Sequence, residues 1–125
     1  MTLNEAVTRF DQLMPNILSY EQKTEFISRL DKRVFDDIMS AYEGCPCEEF
    51  SGYTADTPYD TQLLLPFPYD DIYGYLVAVK ADMINGDTAR YNNSANLFNT
   101  RFEEFCNYYN RTHKMKKNVR MGDIV

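Results

Sequence analysis

DTQLLLPFPYDDIYGYLVAVKADMINGDTARYNNSANLFNTRFEEFCNYYNRTH, residues 60–113, predicts an extended lead-in followed by two long helices that fold back on each other. The first helix is expected over residues 69–85 and the second over residues 88–110. Asn85-Gly86 ends the first helix, because glycine tolerates the left-handed backbone conformation that closes a helix. Asp87 then caps the second helix directly. A connection this short makes the two helices antiparallel neighbours.

Each of these two helices carries an apolar stripe. In the first, apolar residues recur at helical spacing, through Ile72, Leu76, Val79 and Met83, with Tyr69, Tyr73 and Ile84 widening the same face. In the second, steps of four and three residues alternate, through Tyr91, Ala95, Phe98, Phe102, Phe105 and Tyr109. Two such stripes must be buried against each other and against the rest of the chain.

The first part of the chain predicts two more helices. Residues 2–5 and 19–22 both match a capping box, in which two side chains satisfy backbone N–H groups of a first helical turn. Helices are therefore expected over residues 2–14 and 20–43, and a break near Asp31 is the alternative for the second. Their stripes are Leu3, Ala6, Val7, Phe10, Leu13 and Met14, and then Phe26, Ile27, Leu30, Val34, Ile38 and Tyr42. The fold class is all-α, a domain of four helices.

A long irregular loop separates the second and third helices. Residues 44–60 are rich in turn formers and show no apolar period. A loop of this length is either functional or floppy, and Phe50 and Tyr53 are candidates to pin it to the core. We divide the chain into a single helical domain over residues 1–112 and a flexible basic tail over residues 113–125.

Composition and charge exclude several classes of function. The chain of 125 residues suits one domain, and its net charge of −6 argues against general nucleic-acid binding, which needs a basic surface. No apolar stretch is long enough to cross a membrane, and the first helix does not resemble a secretory signal. The three cysteines are therefore expected to be reduced thiols. Ten tyrosines exceed what a small core needs, and tyrosine is favoured at protein interfaces.

Motifs for catalysis or cofactor binding are absent from the sequence. It has no nucleotide-binding glycine loop, no serine elbow and no pair of histidines at metal spacing. Cys45 and Cys47 would need a second ligand pair to bind zinc, for which only Cys106 and His113 remain. Adjacent acidic residues on a helix point about 100° apart and therefore do not converge on one point. We expect no enzyme activity, no catalytic residue, no metal and no cofactor.

Two polar segments are candidates for contact with another protein. Arg90, Asn92 and Asn93 lie early in the last helix, in a run that forms helix poorly. These side chains could bond a neighbouring subunit or a loop, and a solvated face without a partner is the alternative. The basic end of the chain adds Arg111, Lys114, Lys116, Lys117 and Arg120. It could contact nucleic acid, or an acidic partner such as a second copy of this chain.

Several short segments carry a resemblance to a known family. They are Leu63-Leu64-Leu65-Pro66, Pro68-Tyr69-Asp70-Asp71-Ile72-Tyr73, Asn85-Gly86, Arg90-Tyr91-Asn92-Asn93-Ser94, Leu97-Phe98-Asn99 and Tyr109-Asn110-Arg111-Thr112-His113. Together they resemble the small helical head–tail connector, or head-completion, proteins of tailed bacteriophages and prophages. The resemblance covers residues 60–113, and the first half of the chain matches in outline, through residues 26–31 and the helix around them. The turn Cys45-Pro46-Cys47 is not part of the family pattern.

The resemblance implies a structural protein without catalysis, which assembles as a ring beneath the portal and joins the DNA-filled head to the tail. The implied partners are further copies of itself, the portal protein and a tail-side neck protein, with no membrane and no sequence-specific nucleic acid. The implied location is the virion neck after assembly and the cytoplasm of the bacterial host before it. A small cytoplasmic protein-interaction module of helical type is the alternative. A ring repeats one head-to-tail contact, so each copy needs two different complementary surfaces.

Overall fold

The computed structural model describes residues 1–13, 18–45 and 47–115. Across these residues the chain forms four α-helices: α1 (Leu3–Leu13), α2 (Tyr20–Asp37), α3 (Ile72–Asn85) and α4 (Thr88–Thr112). Short 3-10 helices cover Met39–Ala41 and Tyr69–Asp71. In the described part, extended pairing is limited to two isolated bridges, Thr2 with Gln62 and Tyr42 with Met115. The predicted all-α domain of four helices is confirmed.

Four of the predicted helix ends are formed by the residues that signalled them, whereas α3 begins at Ile72, after the 3-10 turn Tyr69–Asp71, and not at residue 69. Both capping boxes, at residues 2–5 and 19–22, make their two reciprocal hydrogen bonds. The α3 helix ends at Gly86, whose φ of 71° lies in the left-handed region that favours glycine. The side chain of Asp87 then accepts a hydrogen bond of 3.1 Å from the backbone N–H of Arg90. The α3–α4 turn is therefore fixed locally.

The end of α2 differs from the prediction, because the α-helix stops at Asp37 instead of continuing to residue 43. Asp36 and Asp37 lie in its last turn, where the negative end of the helix dipole disfavours acidic side chains, and that turn has no basic residue. At Ile38 the backbone leaves the helical region, with φ −123° and ψ −70°, and the chain continues as the 3-10 helix Met39–Ala41. The possible break near Asp31 does not occur.

The core lies between the α3–α4 pair, α2 and α1, and the α3–α4 packing is the most extensive. Its completely or almost completely buried side chains include Leu3, Ile27, Val34, Leu65, Ile72, Tyr73 and Phe105. Each of the four helices thus contributes apolar residues to one interior. The extended lead-in before α3 adds Leu63 and Leu65 to this core.

The predicted stripe of α3 is wrong at its C-terminal end. Met83 and Ile84 are 49% and 45% exposed, whereas Val77 and Ala81 are buried. Val77 and Ala81 form a small separate cluster with Leu18, beside the main core. Because α3 is apolar around much of its circumference, its apolar spacing alone does not determine which face is buried.

The long loop packs against the helices. Tyr53 is buried and Phe50 is half-buried, so the predicted anchoring of the loop is confirmed. Further along, the backbone N–H of Leu3 donates to the carbonyl of Thr61 at 2.9 Å. These contacts bring the loop across the start of α1 before it enters α3.

Candidate functional site

An open groove of about 330 Å³ lies between α2, α3 and α4. Its apolar lining comes from all three helices and consists of Phe26, Leu30, Leu76, Val79, Tyr91, Ala95 and Phe98. Asn99 adds an amide at one end. A concave surface with several aromatic and aliphatic side chains is the usual form of a binding site, and the groove is therefore the candidate functional site.

The groove exists because only part of the α4 stripe is covered. In the C-terminal half of the stripe, Phe102, Phe105 and Tyr109 are buried in the core. In the N-terminal half, the predicted stripe residues are half-buried and line the groove instead. The sequence pattern correctly identified one apolar face on α4. The structure leaves the first half of that face open between α2 and α3.

Three basic side chains also line the groove: Arg29, Arg33 and Lys80. None of the described residues that line the groove is acidic. The Arg33 guanidinium carbon lies 4.9 Å from the ring centroid of Phe102, and Lys80 Nζ lies 5.2 Å from that of Phe26. Such cation–π contacts hold the positive charges against aromatic faces. The groove is thus locally positive on a chain whose net charge is −6.

The cations are only weakly neutralised within the chain. Arg29 pairs with Glu25 at 2.6 Å, and Arg33 pairs with Asp37 at 3.8 Å, with all four side chains more than half exposed. Exposed pairs of this kind contribute about 0–1 kcal/mol, so they compete poorly with a partner's carboxylate. Lys80 has no ion pair within the described residues.

These three cations were not among the contact residues predicted from the sequence. A signal was present, because Arg29 and Arg33 lie four residues apart on α2, on the same side of the helix as Phe26 and Leu30. This part of the chain was used only to predict a helix over residues 20–43, with a break near Asp31 as the alternative. The spacing of Arg29 and Arg33 beside the apolar stripe of α2 is therefore the sequence signal for this surface.

The first group of predicted contact residues lies on exposed faces of α4 near the groove. The side chain of Arg90 is 76% exposed and forms a 3.8 Å ion pair with Asp82. Asn92 and Asn93 are exposed, whereas Ser94 donates a hydrogen bond of 2.6 Å to Asp82. The neighbouring Tyr91 and Ala95 face the groove, so the two asparagines lie beside it and not in it.

The second group lies at the far end of α4. Arg111 and Lys114 are exposed, and Arg111 is separated from Arg90 by about 32 Å along the helix axis. The structure therefore does not bring the two predicted groups together. Lys116, Lys117 and Arg120 lie outside the described residues.

The start of the predicted tail packs against the domain. The His113 ring stacks on Tyr109 with their centroids 3.7 Å apart. The backbone N–H of Glu43 donates to the carbonyl of Lys114 at 2.7 Å, and Met115 forms a bridge with Tyr42. Residues 113–115 thus pack against the helical part of the chain.

A buried carboxylate is a further feature that the sequence did not predict. Asp31 has no exposed surface, and its oxygens accept hydrogen bonds from the hydroxyls of Tyr53 and Tyr73 and from the backbone N–H of Leu64. Burial raises the pKa of Asp31, while the three hydrogen bonds act to lower it. Burial and the nearby carboxylate raise the pKa of both tyrosines. Enclosed as it is, Asp31 fixes the loop and the helices in place.

The cysteines are free thiols. Cys45 Sγ donates a hydrogen bond of 3.0 Å to the carbonyl of Cys47, and burial raises the pKa of the Cys106 thiol. Over residues 1–13, 18–45 and 47–115, no group of three or more histidine, cysteine or acidic side chains is placed to hold a metal ion.

No protein-family model, no curated protein and no solved structure matches this chain. In the described part, none of the helices has both the length and the apolar character that crossing a membrane requires. The chemistry of the groove is therefore the basis for assigning a function.

Proposed function

We propose that this protein is a structural adaptor of the head–tail connector kind found in tailed bacteriophages and prophages, without a catalytic role. The observation that carries this proposal is a groove with aromatic lining and three cations, Arg29, Arg33 and Lys80, on an acidic chain. Such a surface suits an acidic protein segment with an apolar anchor, because anchors fill pockets and opposite charges orient the approach. The resemblance over residues 60–113 supports the same assignment.

Ring formation accounts for the distribution of charge. Identical acidic copies repel one another, so a contact between them needs compensating positive charge at the interface. The groove supplies a positive surface, and the acidic remainder of the chain supplies negative ones. Two different complementary surfaces on each copy are what a closed ring of head-to-tail contacts requires.

The partners in this proposal are further copies of the chain, the portal protein on the head side and a neck protein on the tail side. The assembled protein would lie in the virion neck, and the free protein in the cytoplasm of the bacterial host. Neither a membrane nor sequence-specific nucleic acid takes part. The exposed residues at both ends of α4 are available for the portal and tail contacts.

The test compares two charge reversals. Arg29→Glu reverses a groove cation, and Arg9→Glu is its matched control, because both arginines are exposed on a helix four residues after a glutamate. Each protein is mixed with DNA-filled, portal-bearing heads that lack it, and neck occupancy is measured by electron microscopy. We expect wild type and Arg9→Glu to fill the neck, and Arg29→Glu to bind at least about tenfold more weakly.

Other outcomes decide against the proposal. Equal neck occupancy by Arg29→Glu and Arg9→Glu would show that the groove does not take part in the contact. If wild type fails to bind heads at all, the connector assignment is wrong. A one-to-one complex with a single acidic partner would then support the alternative, a small cytoplasmic interaction module that uses the same groove.

A further inference from the structure

Phe67 is the most exposed of the large apolar side chains in the described residues, at 85%. It lies in the lead-in to α3, between Pro66 and Pro68, whose rings fix the backbone φ angles on both sides of it. A phenyl ring held out into solvent on a restrained backbone loses little conformational entropy when it binds. Phe67 is therefore preorganised as an anchor for a protein contact.

The surface next to Phe67 is acidic. Asp70 and Asp71 follow it in the first turn before α3. Arg101 binds Asp71 at 3.0 Å and Glu104 at 3.1 Å, and it also donates to the carbonyl of Pro68 at 3.0 Å. Two carboxylates thus bind one guanidinium, and Asp70 adds a third negative charge next to Asp71, which leaves this surface net negative.

We propose that Phe67 of one copy inserts into the α2–α3–α4 groove of a second copy, with the acidic surface around Phe67 against the groove cations. This is the ring contact of the proposed function and rests on it. The groove is large enough for a phenyl ring, because a closed apolar cavity of about 150 Å³ already takes up benzene and the groove measures about 330 Å³. The two surfaces match in charge, because the groove presents three cations and the Phe67 surface is net negative.

The proposed contact is head-to-tail, because the anchor and the groove are different surfaces of the same chain. Phe67 is not among the residues that line the groove, which takes Leu76, Val79 and Lys80 from α3. Its own ring is exposed, so it does not occupy the groove of its own chain. Each copy therefore offers one anchor and one groove, as a heterologous interface that closes into a ring requires.

The first test measures self-association by sedimentation, with the full chain at concentrations up to about 1 mM. Phe67→Ser removes the anchor, and Tyr59→Ser, which changes a 62% exposed aromatic at the end of the preceding long loop, is its control. Ala95→Glu places a carboxylate inside the groove, and Asn96→Glu makes the same charge change on an exposed position of α4. We expect Phe67→Ser and Ala95→Glu to weaken association at least about 30-fold, and the two controls to leave it within about threefold.

The second test mixes the two defective proteins. Phe67→Ser retains an intact groove, and Ala95→Glu retains an intact anchor, so an equimolar mixture has one working interface per pair. We expect this mixture to form dimers and nothing larger, while each variant alone stays monomeric. This result also excludes misfolding as the cause, because a misfolded variant would not restore the contact.

The outcomes separate this contact from the connector function. Wild type that stays monomeric up to about 1 mM, or variants that associate as wild type does, would overturn the proposed contact. If Phe67→Ser still fills the neck of portal-bearing heads, the contact is wrong and the connector function stands. If the mixture forms dimers but wild type does not bind heads, the contact stands and the connector function is wrong.

Discussion

The hydroxyl of Tyr73 lies 2.7 Å from Oδ1 of Asp31, and both side chains are completely buried. The same hydroxyl accepts a hydrogen bond of 2.9 Å from the backbone N–H of Leu65. Oδ2 of Asp31 accepts from Tyr53 and from the backbone of Leu64. One carboxylate on α2 thus fixes α3 and the segment that leads to Phe67. The polar network in the core thereby positions the proposed anchor relative to the groove.

Removing one hydroxyl from this network should destabilise the fold. Tyr73→Phe leaves the Leu65 N–H without its partner and Asp31 with one donor fewer, in a site closed to water. We expect a loss of about 1–3 kcal/mol in the free energy of unfolding, measured by urea denaturation. Tyr75→Phe, on the same helix, is the control, because the Tyr75 hydroxyl makes no hydrogen bond within the described residues. That variant should change stability by less than about 0.5 kcal/mol. Equal losses of unfolding free energy in the two variants would show that the hydrogen bonds of Tyr73 do not stabilise the fold.

Stability should depend on pH through Asp31. Burial raises its pKa in the folded chain above the ordinary value of 3.8, which applies to the unfolded chain. Between these two pKa values the folded chain binds more protons than the unfolded chain. The contribution of Asp31 is therefore fully present below pH 3.8 and is lost as pH rises through the folded pKa.

The measurement is the difference in unfolding free energy between wild type and Asp31→Asn. The amide keeps the shape of the carboxyl and does not titrate, and the other ionisable groups cancel in the difference. We expect the advantage of wild type to fall as pH rises above 3.8, and then to level off. A difference that increases with pH would mean that the hydrogen bonds outweigh burial and that the folded pKa is lowered.

Helix boundaries formed by local hydrogen bonds could be predicted from the sequence. The capping boxes at residues 2–5 and 19–22, the left-handed Gly86 and the Asp87 cap each involve residues within four positions of one another. Such contacts are encoded in the adjacent sequence, and they fixed the number and order of the helices. The end of α2 was missed because its stripe stays in phase beyond Asp37.

The groove could not be predicted, because an apolar period identifies a face but not the element that covers it. On α4 the same stripe is core at Phe105 and open at Ala95. Asp31 is a similar case. It lies on the core face of α2, yet its partners Tyr53 and Tyr73 are 22 and 42 residues away in sequence. From sequence alone, an acidic residue on a core face indicates a helix break, because the hydrogen-bond donors that satisfy its carboxylate lie far away in the chain.

The buried part of the α4 stripe should behave as core. Phe102 is 9% exposed and packs against Phe105, with the Arg33 guanidinium over its ring. Phe102→Ala should lower the free energy of unfolding by about 3–5 kcal/mol, as for other buried aromatics. Leu97→Ala, 48% exposed on the same helix, should cost less than about 1 kcal/mol. Denaturant unfolding of the two variants measures both values, and a Phe102→Ala loss below about 1 kcal/mol would place this residue outside the core.

The basic end of the chain should act as a second contact arm. A truncation after Met115 removes Lys116, Lys117 and Arg120 but retains the stack of His113 on Tyr109. Truncation after residue 110 would also remove that stack and the pairing with Glu43, and would therefore combine a stability effect with a binding effect.

We expect the truncation after Met115 to leave the free energy of unfolding within about 0.5 kcal/mol of wild type. Its affinity for portal-bearing heads should fall by about tenfold, because exposed ion pairs contribute about 0–1 kcal/mol each and three cations are lost. The loss should shrink as salt is raised, since screening weakens exposed charge pairs in wild type as well. Binding measured at two salt concentrations tests both statements. If the truncated chain fills the neck as well as wild type at low salt, the arm hypothesis is wrong, and the groove alone must account for the contact.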